Sequence, residues 1–172
     1  MVIEEASDSA FADDYYAQLT DVFKKQSLTP PHSIERPQQL IKHIFPTGNL
    51  LLLRARSPEG ICIATGIFPA FNGMAVFWGA ASWRQYQNLR PNELLFWHAM
   101  RYWKARGMKK FDMGGGGEYK RKYGCYEIFI PCIMKGKYGF LIPIRNFAKT
   151  IFGVKQRVAG LFTKPAHENL EE

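Results

Sequence analysis

The stretch Phe111-Asp-Met-Gly-Gly-Gly-Gly-Glu-Tyr-Lys-Arg-Lys-Tyr-Gly124 decides how this chain is interpreted. Four consecutive glycines follow a short apolar run, and three cations flanked by tyrosines follow the glycines. Glycine lets the backbone turn through positive φ and approach a ligand closely. Exposed N–H groups and clustered cations bind anions. The stretch therefore predicts a strand, a tight turn and an anion site centred on Lys120.

Hydrophobic periodicity predicts the elements around this stretch. It favours helices over 11–25 and 35–44 and from Pro91 to about Arg106, and strands over 49–56, 61–71, 74–80, 108–113 and 125–134. Asn72-Gly73 is a hairpin turn between two of the strands. A further helix follows near the C-terminus. This order predicts an α/β or α+β fold with a mixed sheet.

Composition is that of one folded domain of 172 residues, with 47% hydrophobic and 15% aromatic residues. Such a chain buries roughly 70% of its unfolded surface without needing a metal. No metal site is predicted, because the cysteines lack CxxC spacing and the histidines lie far apart in sequence. These residues are Cys62, Cys125, Cys132, His32, His43, His98 and His167.

The odd number of cysteines and the acidic start Met1-Val-Ile-Glu-Glu5 favour a cytoplasmic location over secretion. No apolar run approaches the ~20 residues needed to cross a bilayer. Contact with the inner face of a membrane would therefore be peripheral.

Charge is unevenly distributed around a net value of +8. The first 21 residues carry six acids and no Lys or Arg, whereas residues 128–167 carry seven Lys or Arg and no acid. This asymmetry predicts an anionic partner, which could be a phosphorylated substrate, a membrane surface or a nucleic acid.

Several motifs occur in a defined order: Trp78-Gly-Ala-Ala-Ser82, Tyr86-x-x-Leu-x-Pro-Asn92, Leu95-x-Trp97, Gly107, Phe111-Asp-Met-Gly-Gly115 and Tyr119-Lys-x-x-Tyr-Gly124. In this order they resemble the C-terminal domain of FemAB-type proteins, which have the GNAT (Gcn5-related N-acetyltransferase) superfold. The resemblance covers about residues 11–134. It implies a GNAT-like domain over 1–134, with a mixed, mostly antiparallel sheet flanked by helices, followed by a C-terminal part over 135–172.

The resemblance implies transfer of an acyl or aminoacyl group to an amine. Similar proteins build peptidoglycan bridges from aminoacyl-tRNA, and BioF2-like relatives accompany exopolysaccharide synthesis. The implied acceptor is a phosphorylated or lipid-linked sugar precursor. No tightly bound cofactor is implied; the donor is an aminoacyl-tRNA or an acyl-CoA, and tRNA enters only as that donor.

The chain departs from the family pattern in three respects. FemAB-type proteins usually carry two GNAT-like domains, so we expect this chain to be a fragment, a stand-alone half, or half of an assembly with a second domain or a second copy. The usual pyrophosphate loop, Arg/Gln-x-x-Gly-x-Gly/Ala, is missing. The loop before the aromatic-Lys signature is short, which predicts a tighter pocket.

Lys120 and Asp112 are the candidate catalytic residues. The resemblance implies that Lys120 stabilises the negative oxygen of the tetrahedral intermediate, although a solvated surface lysine is the alternative. Asp112 is either a base that accepts a proton from the attacking amine or a carboxylate that caps the following turn.

The candidate substrate-binding residues divide between two loops. One loop contributes Gly114, Gly115, Gly116, Gly117, Tyr119, Arg121, Lys122 and Tyr123, with phosphate binding weighed against a turn with surface charges. The other contributes Arg84, Tyr86 and Asn92. Arg84 and Tyr86 either bind a phosphate or are an exposed cation and a core aromatic, while Asn92 suits a helix cap. Three tryptophans (Trp78, Trp97, Trp103) and His98 are predicted to pack in the core.

The C-terminal segment places apolar residues at spacings of three, four and seven, with Arg145, Lys149, Arg157 and Lys164 beside them. The apolar residues are Ile144, Phe147, Ala148, Ile151, Phe152, Val158 and Phe162. A basic amphipathic helix of this kind either lies on an anionic membrane or packs on protein.

Three functions remain open from the sequence: an acyltransferase of FemAB type, a non-catalytic half-domain that binds an anionic precursor or a partner domain, and an RNA-binding module. The last rests on the basic charge interleaved with aromatic residues.

Overall fold

The computed structural model describes residues 1–115, 118–131 and 133–162, with only the backbone described at 118–119 and 153–162. The chain forms two compact units, Met1–Tyr126 and Glu127–Glu172. The predicted division lay at 134.

Nine strands and α-helices occur among the described residues of the first unit. They are β1 (Val2–Glu5), α1 (Phe11–Lys25), α2 (Glu35–Ile44), β2 (Leu50–Arg56), β3 (Cys62–Phe71), β4 (Met74–Val76), β5 (Gly79–Ser82), α3 (Pro91–Ala105) and β6 (Lys110–Asp112). Short 3-10 helices span Phe45–Thr47, Arg84–Leu89 and Glu118–Tyr123, and α4 (Leu141–Phe162) lies in the second unit. The three predicted helices of the first unit are confirmed, whereas β1 was not predicted.

The strands form one mixed sheet of order β1-β2-β3-β4-β6, with β5 also paired to β3. The pairs β1–β2, β2–β3, β3–β4 and β3–β5 are antiparallel, and β4–β6 is parallel. Asn72 (φ 48°) and Gly73 (φ 78°) turn the chain between β3 and β4, as a type I′ hairpin requires. The predicted fold class is confirmed.

The strand predicted over 74–80 is broken in two. Ala70 pairs with Ala75, and Ile67 pairs with Gly79, so one strand has an extra residue between the two pairs, as in a β-bulge. At the break, the Phe77 amide donates to Asp112 at 2.7 Å, and the Trp78 amide donates to Ile67 at 3.1 Å. The chain thus leaves β6 after Phe77, and among the described strands β5 pairs with β3 alone. We call the side of β5 that has no described neighbour, beyond the end of the parallel pair, the gap.

Alternation along the strands creates two apolar cores. Leu51, Leu53 and Phe68 face α3 and bury Leu95, Phe96 and Trp103 with them. Leu50, Leu52 and Ile67 face the opposite side and pack on Phe11, Tyr15 and Leu19 of α1. The sheet is therefore covered on both faces. The gap lies on the side of the sheet where β6 is the last strand.

Arg54 continues the α1-facing side of β2 and is only 3% exposed. Its guanidinium donates to Asp14 at 2.7 Å, to Glu4 at 3.0 Å, and to the two oxygens of Asp8 at 2.5 and 2.9 Å. We call these four residues the arginine network. Hydrogen bonding to Arg54 lowers the pKa of Asp8 to about 2. Half of the acids near the N-terminus thus serve the fold.

The strand predicted over 125–134 is wrong. None of the described residues in that range belongs to a strand. β6 has only three residues, and among the described strands it pairs with β4 alone. A short edge of this kind offers too few hydrogen bonds to hold a long neighbouring strand, so apolar β propensity is not sufficient there.

The second unit exposes apolar side chains along the segment before α4 and on α4 itself. Phe129 is 96% exposed and Ile133 is 94% exposed. On α4, Ile144, Phe147 and Phe152 are also exposed. Within the part of the chain that the structure describes, no helix has the length and hydropathy of a membrane span.

Candidate active site

The end of β6 leads directly into a tight turn. The Asp112 carboxylate accepts a hydrogen bond from the Gly114 amide at 2.7 Å, and Gly114 has a φ of +73°, which favours glycine. We call residues 112–115 the glycine turn. Asp112 thus has the predicted structural role, and this hydrogen bond engages one of its two carboxylate oxygens.

Lys120 folds back onto the glycine turn from the following 3-10 helix. Lys120 is half-buried as a residue, and its ammonium donates to the Gly115 carbonyl. The cation is therefore held beside the turn at the end of the parallel strand pair. Gly116 and Gly117 lie outside the described residues, as does the side chain of Tyr119.

Lys122 and Tyr123 attach the same 3-10 helix to α3. Lys122 forms an ion pair with Glu93 at 2.5 Å. This hydrogen bond raises the pKa of Lys122 and lowers the pKa of Glu93. The Tyr123 ring lies 5.7 Å from the Phe96 ring and packs on the α3 core. These contacts support the structural interpretation of Lys122 and Tyr123, while Arg121 is exposed.

In the second candidate loop, between β5 and α3, the structure matches the non-binding alternative of an exposed cation and a core aromatic. Arg84 is exposed, and Tyr86 packs against the α3 core. This loop forms a 3-10 helix, Arg84–Leu89, and Arg90 after it has a φ of 51°. It holds no glycine that could form the usual pyrophosphate loop.

The predicted capping role of Asn92 is wrong. Arg90 occupies the N-cap position of α3, and no side chain forms a capping hydrogen bond there. Pro91 occupies the first helical position, which places Asn92 inside the first turn. Its side-chain amide donates to the Ser82 hydroxyl at 3.2 Å, so it links α3 to the end of β5. Its amide oxygen is buried and has no partner among the described residues.

The predictions for tryptophans and His98 are partly wrong. Trp103 is buried, and its indole donates to the Phe68 carbonyl at 3.1 Å. Trp97, however, is 58% exposed. His98 is half-buried, and its Nε2 lies 3.1 Å from a Glu5 oxygen, because it lies near β1, an element absent from the predicted order.

A cluster of aromatic residues was missed. The rings of Tyr15 and His32 stack at 6.2 Å, and the Trp78 ring lies 5.0 Å from His32 and 6.0 Å from Tyr15. We call these three residues the aromatic cluster. Its members come from α1, the α1–α2 loop and the break between β4 and β5, so no local pattern could reveal it. The one local signal is His32 after two prolines, at the point where α1 must have ended.

No group of three or more His, Cys, Asp and Glu side chains that could hold a metal occurs among the described residues. The site thus offers a lysine ammonium, turn amides and one histidine beside a gap between strands. These groups can orient and polarise an acyl group.

Comparison with known proteins agrees with this geometry. The family described as acetyltransferase (GNAT) domain matches residues 1–122. No curated protein matches the sequence. Among solved structures, the chain is similar to aminoglycoside antibiotic 6'-N-acetyltransferase AAC(6')-Ih from Acinetobacter baumannii, with a TM-score of 0.57, 17% identity, and 80% of this chain and 99% of that chain covered.

Two further structures share the fold. FemX has a TM-score of 0.61 and 10% identity over 67% of this chain and 44% of FemX. An aminoglycoside acetyltransferase from an uncultured soil metagenomic sample, in complex with sisomicin, has a TM-score of 0.58 and 13% identity over 79% of this chain and 96% of that chain. With its parallel strand pair, two-sided helix cover and matching family profile, the chain belongs to the acetyltransferase (GNAT) domain family and is an acyltransferase.

Proposed function

We propose that this protein is a FemAB-type acyltransferase, of the BioF2-like kind, that forms an amide on an amine of a cell-envelope precursor. The acceptor is a phosphorylated or lipid-linked sugar of peptidoglycan or exopolysaccharide synthesis. The ordered motifs from Trp78 to Gly124 support the subfamily. A protein with a similar fold acts on an amino group of a sugar-containing compound, as its name, aminoglycoside antibiotic 6'-N-acetyltransferase, states.

The observation that carries the proposal is the position of Lys120. Its ammonium lies against the glycine turn, where β4 and β6 stop pairing. Amide formation passes through a tetrahedral intermediate with a negative oxygen. A fixed donor beside such an oxygen lowers the activation free energy by roughly 3–4 kcal/mol. Lys120 would supply this donor after exchanging the Gly115 carbonyl for the oxyanion.

The test measures acyl transfer from acetyl-CoA or alanyl-tRNA to glucosamine and to UDP-glucosamine. Lys120→Met removes the ammonium and retains most of the stem, so we expect the rate to fall by about 100- to 1,000-fold with an unchanged circular dichroism spectrum. Lys122→Met is the matched control, because Lys122 is engaged by Glu93. Equal rates in the wild type and Lys120→Met would remove the lysine from the mechanism.

The two donors are distinguished in the same assay. The 3-10 helix at 84–89 replaces the glycine loop that binds pyrophosphate in most GNAT proteins. This difference favours an aminoacyl ester over acyl-CoA. If acetyl-CoA alone supports transfer, the donor preference is wrong, but the transferase assignment stands.

A second candidate function is a non-catalytic half that binds a partner domain or a second copy of the chain. It is favoured by the coverage of FemX, since this chain spans 44% of that protein. Size-exclusion chromatography with light scattering, alone and with a separately expressed GNAT-like domain, measures the association. Turnover by the monomeric chain would exclude this candidate.

We further propose that the second unit contacts an anionic membrane surface. Phe147 and Phe152 on α4 are exposed, and Arg145 and Lys149 lie on the same helix. Residues 128–152 carry no acid. A lipid-linked acceptor would require such contact. Flotation with phosphatidylglycerol vesicles should capture the protein, and Phe147→Ser with Arg145→Glu should abolish capture; equal capture by phosphatidylcholine alone would contradict an electrostatic contact.

A further inference from the structure

The aromatic cluster lies where the gap between the strands opens. Trp78 is the first residue after the chain leaves β6, and Gly79 follows it. A Cβ at Gly79 would lie 2.6 Å from the Tyr15 hydroxyl. The absence of a side chain at Gly79 therefore lets Tyr15, and the His32 ring stacked on it, approach the strand backbone beside the gap.

The three described histidines differ in which ring nitrogen is engaged. His43 Nε2 lies 2.9 Å from the Gln39 amide oxygen, and His98 Nε2 lies 3.1 Å from a Glu5 oxygen. In His32 it is Nδ1 that lies 3.1 Å from an acceptor, the Ser33 carbonyl. A carbonyl oxygen only accepts, so Nδ1 of His32 carries the hydrogen. In the neutral ring, Nε2 then carries the lone pair, and no described residue bonds to it.

Three elements place aromatic and charged groups around His32. From α1, Tyr15 contributes a neutral phenol, and burial raises its pKa to about 12. From the strand side, the Trp78 ring lies 5.0 Å from His32, and an aromatic face attracts a cation. From α2, Arg36 lies 6.0 Å from the same ring and opposes a second charge, while Glu35 is hydrogen-bonded to Ser33.

We propose that His32 is the general base of this acyltransferase, with Nε2 accepting the proton of the attacking amine. This inference rests on the proposed acyl transfer. The amine nitrogen forms a bond to the acyl carbon, and the carbonyl electron pair moves to oxygen. His32 takes the N–H proton. The intermediate then expels the thiol sulfur or ester oxygen of the donor, and the imidazolium returns the proton to that leaving atom. In this scheme Asp112 keeps its structural role, in which its carboxylate accepts a hydrogen bond from the Gly114 amide.

The first test needs no substrate. Long-range ¹H–¹⁵N NMR of the imidazole rings reports the tautomer of each neutral histidine. We expect the Nδ1–H tautomer for His32 and the Nε2–H tautomer for His43 and His98, which serve as internal references. His32→Gln assigns the signal. An Nε2–H tautomer at His32 would overturn the proposal, whatever the activity.

The second test uses the assay with glucosamine and the better of the two donors. We expect His32→Gln to lower kcat/KM by about 100- to 10,000-fold. Added imidazole should restore part of the rate in His32→Gly but not in Lys120→Met. If the wild type and His32→Gln have the same kcat/KM while Lys120→Met is impaired, His32 is not the base and the transferase assignment survives. A wild type without transfer would instead refute the proposed function itself.

Discussion

The arginine network and the glycine turn are both polar, but they are assembled in opposite ways. Arg54 is nearly buried and joins carboxylates from β1, α1 and the loop between them, more than 39 residues away in sequence. The glycine turn is closed by contacts within 112–120, and its polar groups are exposed or half-buried. Long-range polar contacts thus hold the α1 side of the fold, whereas contacts of short sequence separation close the glycine turn.

The largest expected effect comes from removing the centre of the arginine network. Arg54→Met leaves three carboxylates together without their cation. Those carboxylates are 36–51% exposed, so water offsets part of the loss; since one hydrogen bond to a charged group contributes roughly 1.5–3 kcal/mol, we expect the free energy of unfolding to fall by about 3 kcal/mol, as measured by urea unfolding followed by circular dichroism. Arg56→Met is the matched control, because Arg56 pairs with the same Glu4 but its side chain is 36% exposed. Equal losses in the two variants would contradict the special role of burial.

The same network predicts the acid sensitivity of the protein. The pKa of Asp8 is lowered from 3.8 to about 2 in the folded state, so its stabilising contribution is present above pH 3.8 and is lost as the pH falls towards 2. The difference in stability between wild type and Arg54→Met should therefore shrink over this interval. A constant difference between pH 5 and pH 2 would show that Asp8 is not coupled to Arg54.

A smaller effect is expected at the contact between Gly79 and Tyr15. Gly79→Ala places a Cβ 2.6 Å from the Tyr15 hydroxyl oxygen and 3.5 Å from the ring carbon that bears it. Overpacking of this kind costs about 1–3 kcal/mol. Tyr15→Phe removes the hydroxyl, so Gly79→Ala should cost much less in that background. A double-mutant cycle without coupling would contradict the close approach of the aromatic cluster to β5.

These two regions also show what the sequence could predict. α1 was predicted over 11–25 and is Phe11–Lys25. The prediction succeeded because the apolar residues recur at helical spacing within this one segment. The hairpin at Asn72-Gly73 was likewise predicted from local turn chemistry. The aromatic cluster was not, since Tyr15 and Trp78 meet only through the sheet. Arg54 did leave a signal: it follows four leucines in a buried strand, opposite an acidic N-terminal segment.

The site itself was predicted only where it is contiguous. Lys120 lies beside the glycines as expected, because five residues suffice to bring it there. Asn92 was misassigned, since Pro91 already fills the first helical position and shifts the cap to Arg90. The strand over 125–134 failed because strand formation depends on an edge that β6 does not provide.

Within the glycine turn, Asp112 separates a structural role from a catalytic one. Asp112→Ala removes the acceptor of the Gly114 amide and should cost about 1 kcal/mol. Asp112→Asn keeps an acceptor oxygen, so both stability and transfer rate should stay near those of the wild type. A stable Asp112→Asn that has lost the transfer activity would show that this carboxylate, and not His32, takes the proton.

The smallest effect is expected at the ion pair that joins the 3-10 helix to α3. Both side chains are exposed, at 47% for Lys122 and 39% for Glu93, so solvent and salt screen their attraction. Lys122→Gln should lower the thermal midpoint slightly at low ionic strength, and the difference should vanish near 1 M salt, where the screening length is about 3 Å. Glu93→Gln should have little further effect in that background. A large loss that persists at high salt would mean that packing, and not the exposed ion pair, holds the 3-10 helix against α3.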